Sequence, residues 1–229
     1  MASILITKPV GLNAANQPAD VKAIARRLAE IGKLSADTGS GLMDGALLQA
    51  IAAAQRHFMA APDQLINPAG TTLGFLNGWA EKTISPGVQL PGRLREAWDW
   101  VNPLLPVGSC CSSGFRSAEE QRQILQKFFN TTFRAEIVAK YGQPAYNQVA
   151  ANLLGNETRV LEMVRGVGQQ IAAPGASLHQ QGKAIDIGGP DSIDVRQVEV
   201  VKLVARAHAD LFNGKVLKER NGCVHFELV

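Results

Sequence analysis

The sequence predicts an α+β fold: a small N-terminal three-helix bundle, then an α+β domain with a small antiparallel sheet. Three observations carry this expectation. Apolar residues recur at helical spacing through the first 80 residues and in several later stretches. Short runs with strand character come late, at Ile185-Asp186-Ile187 and from Cys223 to Val229. Helices first and a few strands last are the ordering of an α+β domain.

Each element has its own signal. Pro18 suits the first turn of a helix over 18–31, in which Val21, Ile24, Leu28 and Ile31 share a face. A polar, Gly-rich link, Ser35 to Gly41, leads to a second helix that Asp44 can cap, with Leu47, Leu48, Ile51 and Phe58 on one face. Turn residues at Asn67–Thr72 precede a short helix at Leu73–Leu76, which completes a bundle over residues 1–80. Thr83 to Gly92 is rich in Gly and Pro and reads as a linker or a domain entry.

A second domain is expected over 93–229. Leu94–Trp100 and Ala118–Phe129 are helical, and 133–172 is mostly helical with breaks at Gly142-Gln143-Pro144, Gly155-Asn156 and Gly166. Val195–Phe212 is a strong helix with Val198, Val201 and Val204 on its apolar side, and the C-terminal segment alternates as a strand should.

Composition narrows the function classes. With 46% hydrophobic and 19% charged residues the chain is globular. A net charge of +3 is no nucleic-acid footprint, though it is compatible with weak attraction to an anionic surface such as a bacterial wall. Cys110, Cys111 and Cys223, odd in number with two adjacent, are not a disulfide framework and fit folding in a reducing cytoplasm. No secretory signal and no apolar run of membrane-spanning length is read.

Chemistry concentrates in Ser177-Leu178-His179-Gln180-Gln181-Gly182-Lys183-Ala184-Ile185-Asp186. A catalytic zinc takes three protein ligands and keeps a fourth position for water. His179 and Asp186 supply a nitrogen and an oxygen, Gly182 suits the tight connection between them, and His225 on the last strand is the expected third ligand. Alternation puts Cys223, His225 and Glu227 on one strand face, with Glu227 about 7 Å from His225 along the strand. Glu227 is therefore either the general base or a residue that orients a ligand. His208 reads as a satisfied core or boundary histidine and His57 as a surface one. Adjacent Cys110 and Cys111 read as packing residues, and Cys223 as one that lines the pocket.

The Ser-x-His-x-x-Gly-x-Ala-x-Asp run, filled by Ser177, His179, Gly182, Ala184 and Asp186, resembles the zinc D-alanyl-D-alanine carboxypeptidases and the related L-alanyl-D-glutamate endopeptidases. Ser113-Gly114-Phe115-Arg116-Ser117 and Gln121 resemble an upstream segment of that family, and Val224-His225-Phe226-Glu227 the segment with its last ligand. The resemblance implies zinc held by His179, Asp186 and His225. It also implies that Arg116 binds substrate or stabilises the transition state, with Ser177 and Gln121 beside the substrate. One departure stands out: many members carry an acid three positions before the last His, where this chain has Gly222. Glu227 and Glu219 are the remaining acids, and Glu219 reaches the site only if Asn221-Gly222 turn.

In the N-terminal part Val21, Ile24 and Leu28, then Gln55 and Phe58, then Thr71-Thr72 resemble a peptidoglycan-binding domain of wall hydrolases. Together the resemblances imply a peptidoglycan hydrolase, an endopeptidase or carboxypeptidase on stems containing D-amino acids. Made in the cytoplasm without a signal peptide, it would act at the wall or periplasm. It would get there as a phage endolysin or as an injected effector with an immunity protein as partner. The alternative is a non-catalytic wall-binding protein with a degenerate peptidase domain.

Overall fold

The computed structural model describes residues 3–36, 39–189, 195–220 and 222–229. Their elements run β1 (Val10–Gly11), α1 (Pro18–Glu30), α2 (Gly45–Gln55), β2 (Leu65–Ile66), α3 (Thr71–Gly78), β3 (Thr83–Ile84), α4 (Arg93–Val101), β4 (Cys110–Ser113), α5 (Ala118–Lys127), α6 (Arg134–Tyr141), α7 (Gln143–Ala150), α8 (Glu157–Gly166), β5 (Ala184–Gly188), α9 (Val195–Ala207), β6 (Phe212–Lys218) and β7 (Val224–Leu228). The fold is α+β, with a β1–β2 ribbon and a five-stranded sheet in the order β3-β4-β5-β7-β6.

Two compact units form. One gathers Met1–Thr83, Glu96–Ser109 and Asp194–Gly214, and the other gathers Ile84–Arg95, Cys110–Ile193 and Lys215–Val229. The sequence reading placed the helix that begins at Val195 in the C-terminal domain. It packs in the first unit instead. Buried Val200, Val201 and Val204 supply its apolar side, Gln197 bonds Ser109 at 2.9 Å, and His208 just beyond it reaches the Arg56 carbonyl at 2.7 Å.

In the first unit, Asp44 caps α2 by accepting from the Leu47 N–H at 2.8 Å. Buried Val21, Ile24 and Leu28 of α1 and Leu47 and Ile51 of α2 form the expected faces. Gln55 is fully buried and joins three segments. Its amide nitrogen donates to Asp63, the Leu65 carbonyl and Thr72, and its oxygen accepts from the Gln64 N–H. A buried amide so completely satisfied fixes the geometry around it.

His57 is not on the surface. It is 5% exposed, enclosed edge-on by Trp79 and Trp100, with Nδ1 donating to the Trp100 carbonyl and Nε2 accepting from Lys33. Burial, reinforced by the Lys33 and His208 charges, lowers its pKa to about 4. The Trp residues that enclose it lie far along the chain, which is why local periodicity does not reveal it.

In the second unit, β5 is buried throughout and pairs antiparallel with β4 on one side and β7 on the other. Ile185 and Ile187 point to one face, and Ala184, Asp186 and Gly188 to the other. Helices α5 to α8 enclose a second apolar cluster, in which Leu125, Phe129, Ile137, Met163 and Val164 are fully buried. The Thr83–Gly92 stretch is not a free linker. Ser85 N–H bonds the Cys111 carbonyl at 2.9 Å and Gln89 bridges Phe115, so it forms the sheet edge beside β4.

Candidate active site

Register builds the site. Asp186 lies directly opposite His225 and Ala184 opposite Glu227 on the antiparallel β5–β7 pair, so all four share a face. His179 arrives from the tight turn before β5, where Gly182 N–H bonds the His179 carbonyl and Lys183 N–H the Leu178 carbonyl. Ser177 accepts from the His179 N–H at 3.3 Å, and the Gln180 side chain accepts from Gly175 and Ser177.

The His179 imidazole donates from Nδ1 to the Gly114 carbonyl at 2.8 Å. A carbonyl only accepts, so Nδ1 carries the hydrogen and the Nε2 lone pair is aimed the other way. It faces Asp186 Oδ1 at 3.2 Å, and the same oxygen lies 2.8 Å from His225 Nδ1. All three residues are buried, and their ligating atoms lie within 4.8 Å of one another. Two imidazoles turned onto one carboxylate oxygen require positive charge among them, from protons or from a metal ion. Nitrogen, oxygen and nitrogen donors fixed from behind, beside an open cleft, fit a catalytic zinc.

Gly114 has no room for a side chain: a Cβ there would stand 2.3 Å from the Gln89 carbonyl oxygen. That explains the glycine of Ser-Gly-Phe-Arg, whose carbonyl then orients His179. Arg116 is not a surface residue paired with its helix. Its guanidinium meets Asp186 Oδ2 at 3.1 Å, whereas Glu120 closes a capping box with Ser117 and Glu119 pairs with Arg122. Burial raises the Asp186 carboxyl, but His179, His225 and Arg116 outweigh it and hold the group below the usual carboxylate range.

The two remaining acids take different places. Glu227 is buried, pairs with Lys215 at 2.8 Å, and turns Oε1 toward His225 Nε2 at 3.6 Å. Glu219 stands just past the end of β6, in the connection from β6 to β7. Its N–H bonds the Cys223 carbonyl, Gly222 N–H bonds the Glu219 carbonyl, and Gly222 adopts φ +92°, a left-handed value suited to glycine. Asn221, invoked for this turn, lies outside the described residues. Lys215 and Leu217 of β6 and Cys223, His225 and Glu227 at β7 line one cleft, so alternate residues of both chain segments face it. Burial and the Asp186 charge raise the Glu219 carboxyl, and the opposing pull of His225, Arg116 and a 3.4 Å bond from Gln169 does not cancel this.

The cleft measures about 490 Å³ and takes in Arg116, Gln121, Ser177, His179, Asp186, Glu219, Cys223, His225 and Glu227. Every site residue expected from sequence therefore lies on it. Gln121 also bonds the Ala172 carbonyl at 2.8 Å, which ties α5 to the segment before the Ser177–His179 turn. Burial pushes the Cys223 thiol up to about 11, so it stands in the cleft as a neutral thiol. Lys215 and Gln169, partners of the two acids, are absent from the sequence-based set because no local motif marks them.

The family model of the VanY D-alanyl-D-alanine carboxypeptidases matches residues 107–223, about half of the chain. The chain belongs to that family. It is thereby a hydrolase of the D-alanyl-D-alanine carboxypeptidase type acting on peptidoglycan. The match contains His179, Asp186, Arg116 and Glu219 and stops short of His225 and Glu227. Neither a curated protein nor a solved structure matches the chain. Among the described residues no helix is long and apolar enough to cross a membrane.

Proposed function

We propose that the protein is a zinc-dependent peptidase that cleaves an amide bond in peptidoglycan stems containing D-amino acids. The observation that carries the reading is the buried His179–Asp186–His225 trio, with one histidine tautomer fixed by the Gly114 carbonyl. These three residues would hold the ion, and zinc when bound supplies Lewis-acid polarisation of the carbonyl and acidifies water.

Glu219 takes the base role in this proposal, which reverses the preference that strand alternation alone gives to Glu227. A carboxyl with a raised pKa, partly open to the cleft, accepts a proton from the attacking water and returns it to the leaving amine. Glu227 instead faces the far nitrogen of His225 and orients that ring, with Lys215 balancing its charge. Arg116 clamps Asp186 Oδ2, so that Oδ1 stays turned to the histidines, and lies close enough to the cleft to meet a substrate oxyanion or carboxylate. Ser177 and Gln121 shape the wall along which the peptide lies.

The test is hydrolysis of purified sacculi, followed by mass spectrometry of the released fragments and by metal analysis. Glu219→Gln should keep its zinc and lose about 10²–10⁴-fold in rate. Glu227→Gln should lose zinc affinity first. The opposite pattern would restore Glu227 as the base. Metal binding without any hydrolysis by the unaltered chain would favour a non-catalytic wall-binding protein.

Wall attachment through the first unit is part of the same proposal, on the strength of its three N-terminal helices. Co-sedimentation of Glu219→Gln full chain with sacculi tests it. Delivery as an endolysin, or as an effector with an immunity partner, extends the reading and predicts toxicity from the periplasm but not from the cytoplasm.

A further inference from the structure

The charges around the cleft are unevenly placed. On the sheet wall Arg116 meets Asp186 and Lys215 meets Glu227, so cations and carboxylates pair off, and Glu219 remains. On the helical wall, the residues of α5, the end of α8 and 170–172 that line the cleft include Lys127 and Arg165 and no acidic residue. Both cations are exposed. Arg165 spends its Nε on the Ile171 carbonyl at 2.9 Å, which fixes the start of its guanidinium fork. The acids of the neighbouring helix turns are engaged elsewhere: Glu157 and Glu119 with Arg122, and Glu162 with Arg159. Two positive groups thus line a wall whose other members, among them Gln121, Ile124, Phe128 and Ile171, are uncharged, which suits it to an anion.

We infer that Lys127 and Arg165 anchor a carboxylate of the peptide substrate, so that the enzyme selects acidic peptides over their amidated counterparts. The inference rests on the peptidase reading for the identity of the peptide, and it names the chemistry that the helical wall recognises. Lysine offers a point charge and arginine a planar fork, which together suit a carboxylate held at the mouth of a wet cleft. Contacts of this exposure are screened by salt, so selectivity should shrink as ionic strength rises.

The experiment measures binding by calorimetry, using zinc-loaded full chain carrying Glu219→Gln to prevent turnover. Three peptides ending in two D-alanines are compared: one with free side-chain carboxylates, one with those carboxylates amidated, and one amidated only at its C-terminus. Adding Lys127→Ala and Arg165→Ala together should weaken the preferred acidic peptide about tenfold and leave the peptide lacking the anchored carboxylate unchanged. Whichever amidation abolishes the difference identifies the carboxylate as side-chain or terminal. Equal weakening of all three, or no weakening, overturns the inference even if the unaltered chain hydrolyses the peptides. Selective binding without hydrolysis by the unaltered chain would leave the anchor standing and remove the peptidase reading.

Discussion

Replacing Gly114 with alanine should weaken metal binding without touching a ligand. The added Cβ would stand 2.3 Å from the Gln89 carbonyl oxygen and 2.5 Å from Leu90 Cδ2, where about 3.0 Å is the closest approach a real Cβ makes. Backbone must therefore yield by about 0.7 Å, since a carbonyl oxygen is no flexible side-chain end. Overpacking of this kind costs about 1–3 kcal/mol, which lowers the melting temperature by roughly 2–12 °C in a chain of this size. The same displacement moves the Gly114 carbonyl, now 2.8 Å from His179 Nδ1, toward the limit of a hydrogen bond. Losing such an orienting contact weakens metal sites about 10–100-fold. Thermal melts with and without zinc, and competition against a chromophoric chelator, read both effects, with His179→Ala as the folded, ligand-deficient control. A Gly114→Ala protein with unchanged melting and unchanged zinc affinity would refute the steric argument. A lowered melting temperature with unchanged affinity would refute the link from this carbonyl to the metal.

Other outcomes follow from single contacts. Arg116→Gln should reduce zinc affinity about 10–100-fold, because Asp186 Oδ2 loses its buried cation; isothermal titration checks this. Ser117→Ala removes the cap of α5 and should cost about 1 kcal/mol in urea unfolding, with zinc content unchanged. His57 is depressed from 6.5 to about 4 in the fold, so the unfolded chain takes up its proton first on acidification. Stability from this group is complete above pH 6.5 and is lost as pH falls toward 4, by up to about 3 kcal/mol. In His57→Gln the melting temperature should lack that decline.

The candidate trio of His179, Asp186 and His225 was legible because its residues carry local marks. Period-two alternation put His225 on a definite strand face, and the Ser-x-His-x-x-Gly-x-Ala-x-Asp spacing marked His179 and Asp186 together. The acids were harder. Glu219 lies six residues from His225, and only the hairpin through Gly222 folds it back to the cleft. Strand β6 was unseen because Asn213, Gly214 and Lys215 are exposed and break any apolar pattern. Strand β4, with its run of Cys and Ser and a register shift between Cys111 and Ser113, alternates too weakly to announce itself. In the first unit the helix faces were readable from spacing. The environment of His57 was not, since Trp79 and Trp100 reach it from positions that no local window spans.

The first unit takes its members from three separate stretches, the last of them ending at Gly214. During synthesis its core therefore stays incomplete until the chain has been made through Gly214, and loop closure over such spans slows folding. Cutting after residue 80 would strip away Trp100 and α9 and leave His57 without one of the two rings that enclose it. Such a fragment would expose apolar surface and stick to many things, sacculi included. Adhesion by the N-terminal piece is thus uninformative, and the roles of the two units must be separated by point substitution in the intact chain.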